Sequence, residues 1–579
     1  MPSENTQIEA LEKTLVFHIK AAVEGEEVSP EKFWDQLRNY YRTAELPKGY
    51  KHPKLVSVFS HQLAGEIKDS HTEAKETTSG APLLFKTLND GVAIYQQVIS
   101  ARFRQKSADL MNALKVLLKV PENQKTIGEI YDFAEEVIAF EKLSGLIPEI
   151  EGKQLTKSRS QRLVRMLEML QHGLKYLEGK LATVMITDGV TIDHGTLSHC
   201  EIITEKDDVF SKADETIRNQ MDHFLAIIKA FRIAELEVDG AYKEDIHNEY
   251  FDHFSWYQLT AEERRLFHPL IIVVDHAYLM ANLEIYSQLL ASNWPFKFIV
   301  LNNQGVSQTA EHVSWEDAAH RYRQELSMLT IAQRNVYTFQ STLQSKSTLM
   351  QGINGCLHSS GPSLAHILLT ESGDEIVTDR AAALSRYFPN IKYNPEADPK
   401  AGPRLSLEGN EQPTKDWPVF ELAIDEGVGD TSMELPLTYV DYKAFFPSKV
   451  KELMIIPSVF YGDKHLIPLS EYLTLNPDQL IGKVPYILLA DGESGLYKAA
   501  VPNVWVVSCQ ERLDFWQFLQ EMGRVEAQDV QEKPQNITTD QTNLIAALKH
   551  KHEQEIRQLR ESAVKQAAEQ LLGTLLRDK

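Results

Sequence analysis

The stretch PLIIVVDHAYLMANLEIYSQLLASNWPFKFIVLNN, residues 269–303, restricts the fold more than any other part of the chain. It reads as an apolar strand, a helix and a second apolar strand. Neither strand alternates apolar with polar residues. Each is therefore expected to be buried on both faces, as in a parallel sheet covered by helices. Parallel neighbours need a crossover, and the intervening helix supplies one, so the unit is βαβ. The pattern recurs downstream, where RNVYTFQS reads as a strand, SKSTLMQGINGCLHSS as a helix and GPSLAHILLT as another strand. LATVMIT, followed by the Asp188-Gly189 turn, is a further short apolar strand. The expectation is an α/β fold with an open parallel sheet, in which 269–275, 296–302, 335–340 and 363–370 are neighbouring, mainly parallel strands.

The flanks read differently. In the N-terminal part, Ser29-Pro30 opens a helix and Pro121 stops one. SQRLVRMLEMLQHGLKYLEGKL places leucines at 163, 167, 170, 174, 177 and 181. Steps of four and three put them on one face, for packing against other helices. The polar run 68–80 reads as an exposed loop, and a helix is expected at about 211–235. Beyond the sheet, NPEADPKAGPRLSLEGNEQP reads as a surface wrap and VPYILLADGESGLYKAAVP as a hairpin. A Trp-containing helix follows near ERLDFWQFLQEMG. The expected organisation is a helical domain (1–181), an α/β core (182–390), a wrap with a small α/β appendage (391–530), and a linker with a C-terminal helix (531–579). The leucines of 540–577 are too sparse for a coiled-coil seam, so that helix is expected to dock on its own chain, a second copy or a partner.

Composition removes several functional classes. With 60 Lys+Arg against 82 Asp+Glu, the net charge is −22. That is the wrong sign for nucleic acid or an anionic membrane surface. Three cysteines (Cys200, Cys356 and Cys509) are too few for a disulfide framework. They are also fewer than the about four thiolates of an iron–sulfur cluster. The N-terminus has no basic and apolar leader pattern. The longest apolar run, near 269–280, is far shorter than the ~20 residues of a membrane span. The expectation is a reduced, cytoplasmic protein with no membrane span and no nucleic-acid partner.

In open α/β sheets, ligands sit beyond the carboxyl ends of the strands. Two such ends carry polar residues here: Asp275 after IIVV, and Asn302-Asn303 after FIVL. One helix bridges Asp275 and Asn303, bringing a carboxylate and an amide oxygen to the same sheet edge. Hard oxygen donors of this kind suit Mg²⁺ that is also held by a diphosphate. An Asp directly before AYLMANLEIY is equally suited to capping that helix, and Asn-Asn-Gln-Gly is a common turn.

These segments resemble a known family. DHAYLM…LASNWPFKFIVLNN is similar to the thiamine-diphosphate motif, a Gly-Asp-Gly signature followed by a helix and a terminal Asn-Asn. NVYTFQSTLQSKSTLMQGINGCLHSSGPSLAHILLT resembles the end of the cofactor domain of the pyruvate:ferredoxin (2-oxoacid:acceptor) oxidoreductases. The resemblance spans about 265–372. It implies a divergent thiamine-diphosphate-domain core acting in oxidative decarboxylation of a 2-oxoacid. It implies cofactor binding by Asp275, His276, Asn302, Asn303 and Gly305, with Asp275 and Asn303 as magnesium ligands. It also implies a partner subunit carrying iron–sulfur clusters or the pyrimidine-binding half, and assembly with a second copy. Val274 and His276 stand where the family has glycines, which let the backbone approach the diphosphate. That departure supports a second expectation: a non-catalytic scaffold or assembly protein that has kept the fold and lost the cofactor site.

The remaining candidates read as structural. His247, His253, His268 and His276 are dispersed through an acidic, aromatic region without zinc-ligand spacing. Cys356 reads as a small core residue. The chain has no P-loop, nucleophile elbow or Ser-His-Asp set, and the sequence assigns no catalytic residue.

Overall fold

The computed structural model describes residues 17–19, 29–60, 62–64, 80–119, 156–188, 190, 192, 195–206, 208–303, 325–370, 375–400, 402–425, 430–491 and 495–525. The described residues up to Gly523 form one compact unit. The terminal helix expected at 540–577, and the loop at 68–80 apart from Gly80, lie outside the described residues.

Two eight-stranded sheets carry an α/β fold. The first has the order Cys200–Glu205, Ala182–Thr187, Leu270–Asp275, Phe296–Asn302, Ser363–Leu368, Tyr337–Ser341, Ile391–Tyr393, Leu405–Ser406. Its first six strands are parallel. The last two pair antiparallel with their neighbours. The four strands expected as neighbours are neighbours, with Ser363–Leu368 inserted between Phe296–Asn302 and Tyr337–Ser341. Their unalternating runs are buried throughout, apart from half-buried Asp275. The Cys200–Glu205 edge strand has only Cys200 fully buried and gives no such run.

Helices cover both faces of this sheet. Ala81–Lys119 and Lys346–His358 pack on the face that carries Val184, Ile271, Val273 and Ile299. Val209–Val238 and Leu283–Ala291 pack on the opposite face, over Met185, Ile272, Val274 and Val300. The Lys346–His358 helix lies unusually close to its strand. A Cβ at Gly352 would run into the Phe339 ring, and one at Gly355 into Tyr337. The Lys157–Glu178 helix buries Leu163, Leu170 and Leu177, with Leu167 and Leu174 packed beside them, as the leucine spacing requires.

Residues 391–530 hold more than a small appendage. Most of a second sheet comes from this region, in the order Asp430–Pro436, Val419–Asp425, Phe17–Ile19, Gly495–Ala500, Val484–Ala490, Leu466–Pro468. Met454–Ile455 adds to Gly495–Ala500, and Val56–Ser57 adds to Val484–Ala490. Phe17–Ile19 is parallel to both its neighbours. The expected hairpin is the antiparallel pair Val484–Ala490 and Gly495–Ala500. The helix Asn503–Gly523 closes this unit with Trp505 and Trp516 buried. Among the described residues no helix is long and apolar enough to cross a membrane.

Candidate functional site

The first sheet has one point where the connections diverge. From Ala182–Thr187 the chain leaves toward the Cys200–Glu205 edge, and from Leu270–Asp275 it leaves the other way, to Phe296–Asn302. Crevices in doubly wound sheets open between two such strand ends. Thr187 ends one strand and Asp275 the other. Thr187 is 6% exposed, and its Oγ1 is buried with no hydrogen-bond partner among the described residues.

Asp275 caps the helix His276–Ala281. Its Oδ1 accepts a hydrogen bond from the Tyr278 backbone N–H at 2.8 Å. Tyr278 turns inward: its hydroxyl accepts from the Val209 N–H at 3.3 Å, and its ring meets Phe210 edge-on at 5.5 Å. The sheet register pairs Asp275 with Leu301. Asn302 is the last residue of the next strand, is buried, and pairs in register with Leu368. Side chains alternate along a strand, so Asn302 leaves the face opposite to that of Leu301 and Asp275. Asn303 is exposed, and Gly305 lies outside the described residues. The fold thus brings Asp275, His276, Asn302 and Asn303 to two adjacent strand ends, with the Asp275 and Asn302 side chains on different faces of the sheet.

Beneath the rim, His276 stacks on His366, with ring centroids 5.2 Å apart and planes 16° from parallel. His366 sits on Ser363–Leu368 and is 3% exposed. Its Nδ1 lies 3.2 Å from Gln340 Oε1, which also accepts from the Ser327 hydroxyl at 2.6 Å. Gln340 Nε2 donates to the Pro389 carbonyl at 3.1 Å, which fixes the orientation of the amide. His366 Nδ1 must then carry the proton, and Nε2 is left as a lone pair. That Nε2 is buried with no partner among the described residues, as is His276 Nδ1. The Phe388 ring stands edge-on to His366 at 4.9 Å. Burial pushes the His366 pKa well below the ordinary imidazole range, and neighbouring His276 pushes it further down. Burial also lowers the His276 pKa, against the raising effect of Asp275. The strand ends therefore present neutral imidazoles with unpaired nitrogens. Such groups can accept a hydrogen bond, resist protonation and carry no positive charge to hold an anion.

The other three histidines singled out in the sequence have structural surroundings. His268 stacks on Tyr176 with centroids 3.8 Å apart, and burial drives its pKa down to about 4. His247 Nδ1 accepts from the Lys243 N–H at 2.8 Å, and His253 terminates the Glu244–Asp252 helix. Among the described residues, no group of three or more His, Cys, Asp or Glu is gathered to hold a metal ion. Cys200, Cys356 and Cys509 are free and buried.

Sequence reasoning did not single out Thr187, Gln340 or His366. The signal available for His366 was an imidazole within the largely apolar strand SLAHIL; Gln340 shares YTFQS with Thr338 and Ser341, and Thr187 ends ATVMIT, so neither stands out. Comparison with known family models and with curated proteins finds no match to this chain.

Proposed function

We propose that the chain is a non-catalytic relative of the 2-oxoacid:acceptor oxidoreductases, in which the parallel sheet serves as an assembly scaffold. The observation that carries this reading is the commitment of the side chains at the Asp275 strand end. The resemblance places a glycine on each side of the aspartate. Here Val274 is buried in the core, and His276 turns against His366. A diphosphate needs close backbone approach at this position, which glycine permits and an imidazole obstructs. Asp275 already uses one carboxylate oxygen as a helix cap. The residues described here do not fit a magnesium-bound diphosphate.

The competing reading is an active thiamine-diphosphate component using Asp275, Asn302, Asn303 and Gly305 with Mg²⁺. One observation favours it: Asp275 and Asn302 end adjacent parallel strands, beside the point where the connections diverge. Thermal unfolding separates the two. A ligand that binds only the native state raises the melting temperature in proportion to its saturation. The scaffold reading expects no shift at millimolar thiamine diphosphate with Mg²⁺. A saturable shift that Asp275→Ala removes, measured against that variant's own baseline, establishes the cofactor site and sinks the scaffold.

A further inference from the structure

The acidic, aromatic segment at 244–263 is not absorbed by the strand-end crevice. It carries six carboxylates and no Lys or Arg. Three of them are held by cations of neighbouring helices: Glu244 by Arg162 at 2.8 Å, Glu263 by Arg232, and Asp252 by Lys229 at 3.9 Å. Asp245, Glu249 and Glu262 make no ion pair or side-chain hydrogen bond among the described residues. Beside them, large apolar side chains face solvent: Ile246 is 57% exposed, Tyr250 43% and Tyr257 67%. Ile246 and Tyr250 are one helical turn apart on Glu244–Asp252, with Asp245 and Glu249 flanking them at the same spacing.

The platform beneath is packed and cross-linked by hydrogen bonds. Phe251 and Trp256 are buried under it. Arg232 ties its parts together, donating to the Tyr250 hydroxyl at 3.3 Å, the Gln258 carbonyl at 3.1 Å and Glu263 Oε1 at 2.7 Å. Exposed apolar groups rimmed by charge mark interaction surfaces, and tyrosines on a preordered support lose little entropy when covered.

We propose that the exposed face of Glu244–Asp252 docks a basic segment of another protein that lays an apolar seam over Ile246 and Tyr250. Charge complementarity selects this occupant. The Asp245 and Glu249 carboxylates call for Lys or Arg on the partner, and they repel nucleic acid and anionic lipid. A second copy of a chain with net charge −22 is disfavoured on the same ground. The surface is separate from the strand-end crevice, so its test and the cofactor test fail independently.

The probe is a fluorescein-labelled helical peptide of Leu and Lys with its leucines on one face. A peptide of equal composition with dispersed leucines serves as control. Anisotropy is read on the full chain at about 0.15 M salt, where long-range attraction is screened. The seam peptide should bind about tenfold tighter than the dispersed one, and Ile246→Ser with Tyr250→Ser should remove that preference. Asp245→Asn and Glu249→Gln together should weaken binding and flatten its salt dependence. Glu471→Gln and Asp478→Asn, which change net charge equally but lie elsewhere, should leave it within about twofold. Circular dichroism melts confirm that each variant is folded. Equal binding of the two peptides overturns the proposal, as does equal loss in both charge variants. A dimer in light scattering that Ile246→Ser with Tyr250→Ser dissolves also overturns it, because the face is then a contact between copies.

Discussion

The Arg386 guanidinium lies 3.9 Å from the centre of the Trp516 ring, and neither residue is exposed to solvent. Nε donates to the Asp416 carbonyl at 3.2 Å. Nη2 lies within reach of the carbonyls of Glu411, Gln412 and Lys415, at 3.1, 3.0 and 3.3 Å. Trp516 Nε1 donates to the same Lys415 carbonyl at 3.0 Å. One buried cation thus fastens the 411–416 loop to the Asn503–Gly523 helix. Burial pulls its pKa down to about 9, which still leaves it charged at neutral pH.

Arg386→Lys should destabilise the protein by roughly 3 kcal/mol. An ammonium cannot reproduce the planar fork or the stacking, and buried carbonyls are left unpaired. Urea unfolding followed by Trp fluorescence measures the loss. A change below about 0.5 kcal/mol, the range of an ordinary surface substitution, shows that the clamp is dispensable.

Gly352→Ala should destabilise by about 2 kcal/mol or more, because the new methyl meets the Phe339 ring. Phe339→Leu in the same chain should return part of that loss. The check is a double-mutant cycle, and additive effects would mean that the helix moves away freely.

The pH dependence contains two opposing slopes. His268, His276 and His366 have folded-state pKa values depressed by burial, with His268 at about 4. Between those values and about 6.5 the unfolded chain binds more protons, so their contribution to stability is lost as pH falls. Asp441 does the reverse. Burial raises its carboxyl to about 7, against hydrogen bonds with Thr438, so its contribution is lost as pH rises through 7. Asp441→Asn should steepen the loss of stability on acidification from pH 6.5 to 4, and His268→Gln should make it shallower. Chemical unfolding at pH 4.5, 5.5 and 6.5 reads both slopes. Unchanged slopes in both variants would refute the assignment.

Cysteine chemistry gives a further check. Burial raises the Cys200 thiol to about 11 and those of Cys356 and Cys509 to about 12. The thiolate is the reactive form. Native protein at pH 8 should therefore react negligibly with a disulfide reagent, and all three thiols should react in urea. The isolated chain should carry no iron, because its three cysteines are separately buried. Stoichiometric iron in the purified protein would contradict this.

The central strands were legible because burial on both faces leaves an unbroken apolar run, as in LIIVVD and FKFIVLN. The edge strand CEIITE was not, since its side chains are mostly half-buried or exposed and its polar residues obscure the pattern. Of the second sheet, the hairpin of Val484–Ala490 with Gly495–Ala500 was legible, and the rest was hidden for a different reason. It is assembled from short pieces at both ends of the chain, and pairing across several hundred residues leaves no local period. At the candidate site, the position of Asp275 followed from the strand end. Its capping bond and the face taken by Asn302 depend on backbone geometry and register. His366 went unnoticed because a single imidazole in SLAHIL has no spacing to betray it, and its meaning comes only from Gln340 on the next strand.

Phe17–Ile19 lies between Val419–Asp425 and Gly495–Ala500, and this has a consequence for biosynthesis. The strands of the parallel sheet all fall within 182–406, so that sheet can close while the ribosome is still translating. The early strand has no partner until about 400 further residues have been made, a delay of roughly 20–80 s at ordinary elongation rates. Until then Phe17–Ile19 has neither of its sheet neighbours, and an unpaired strand edge can recruit another chain. A chaperone holding FHI during that interval would keep it from such pairing.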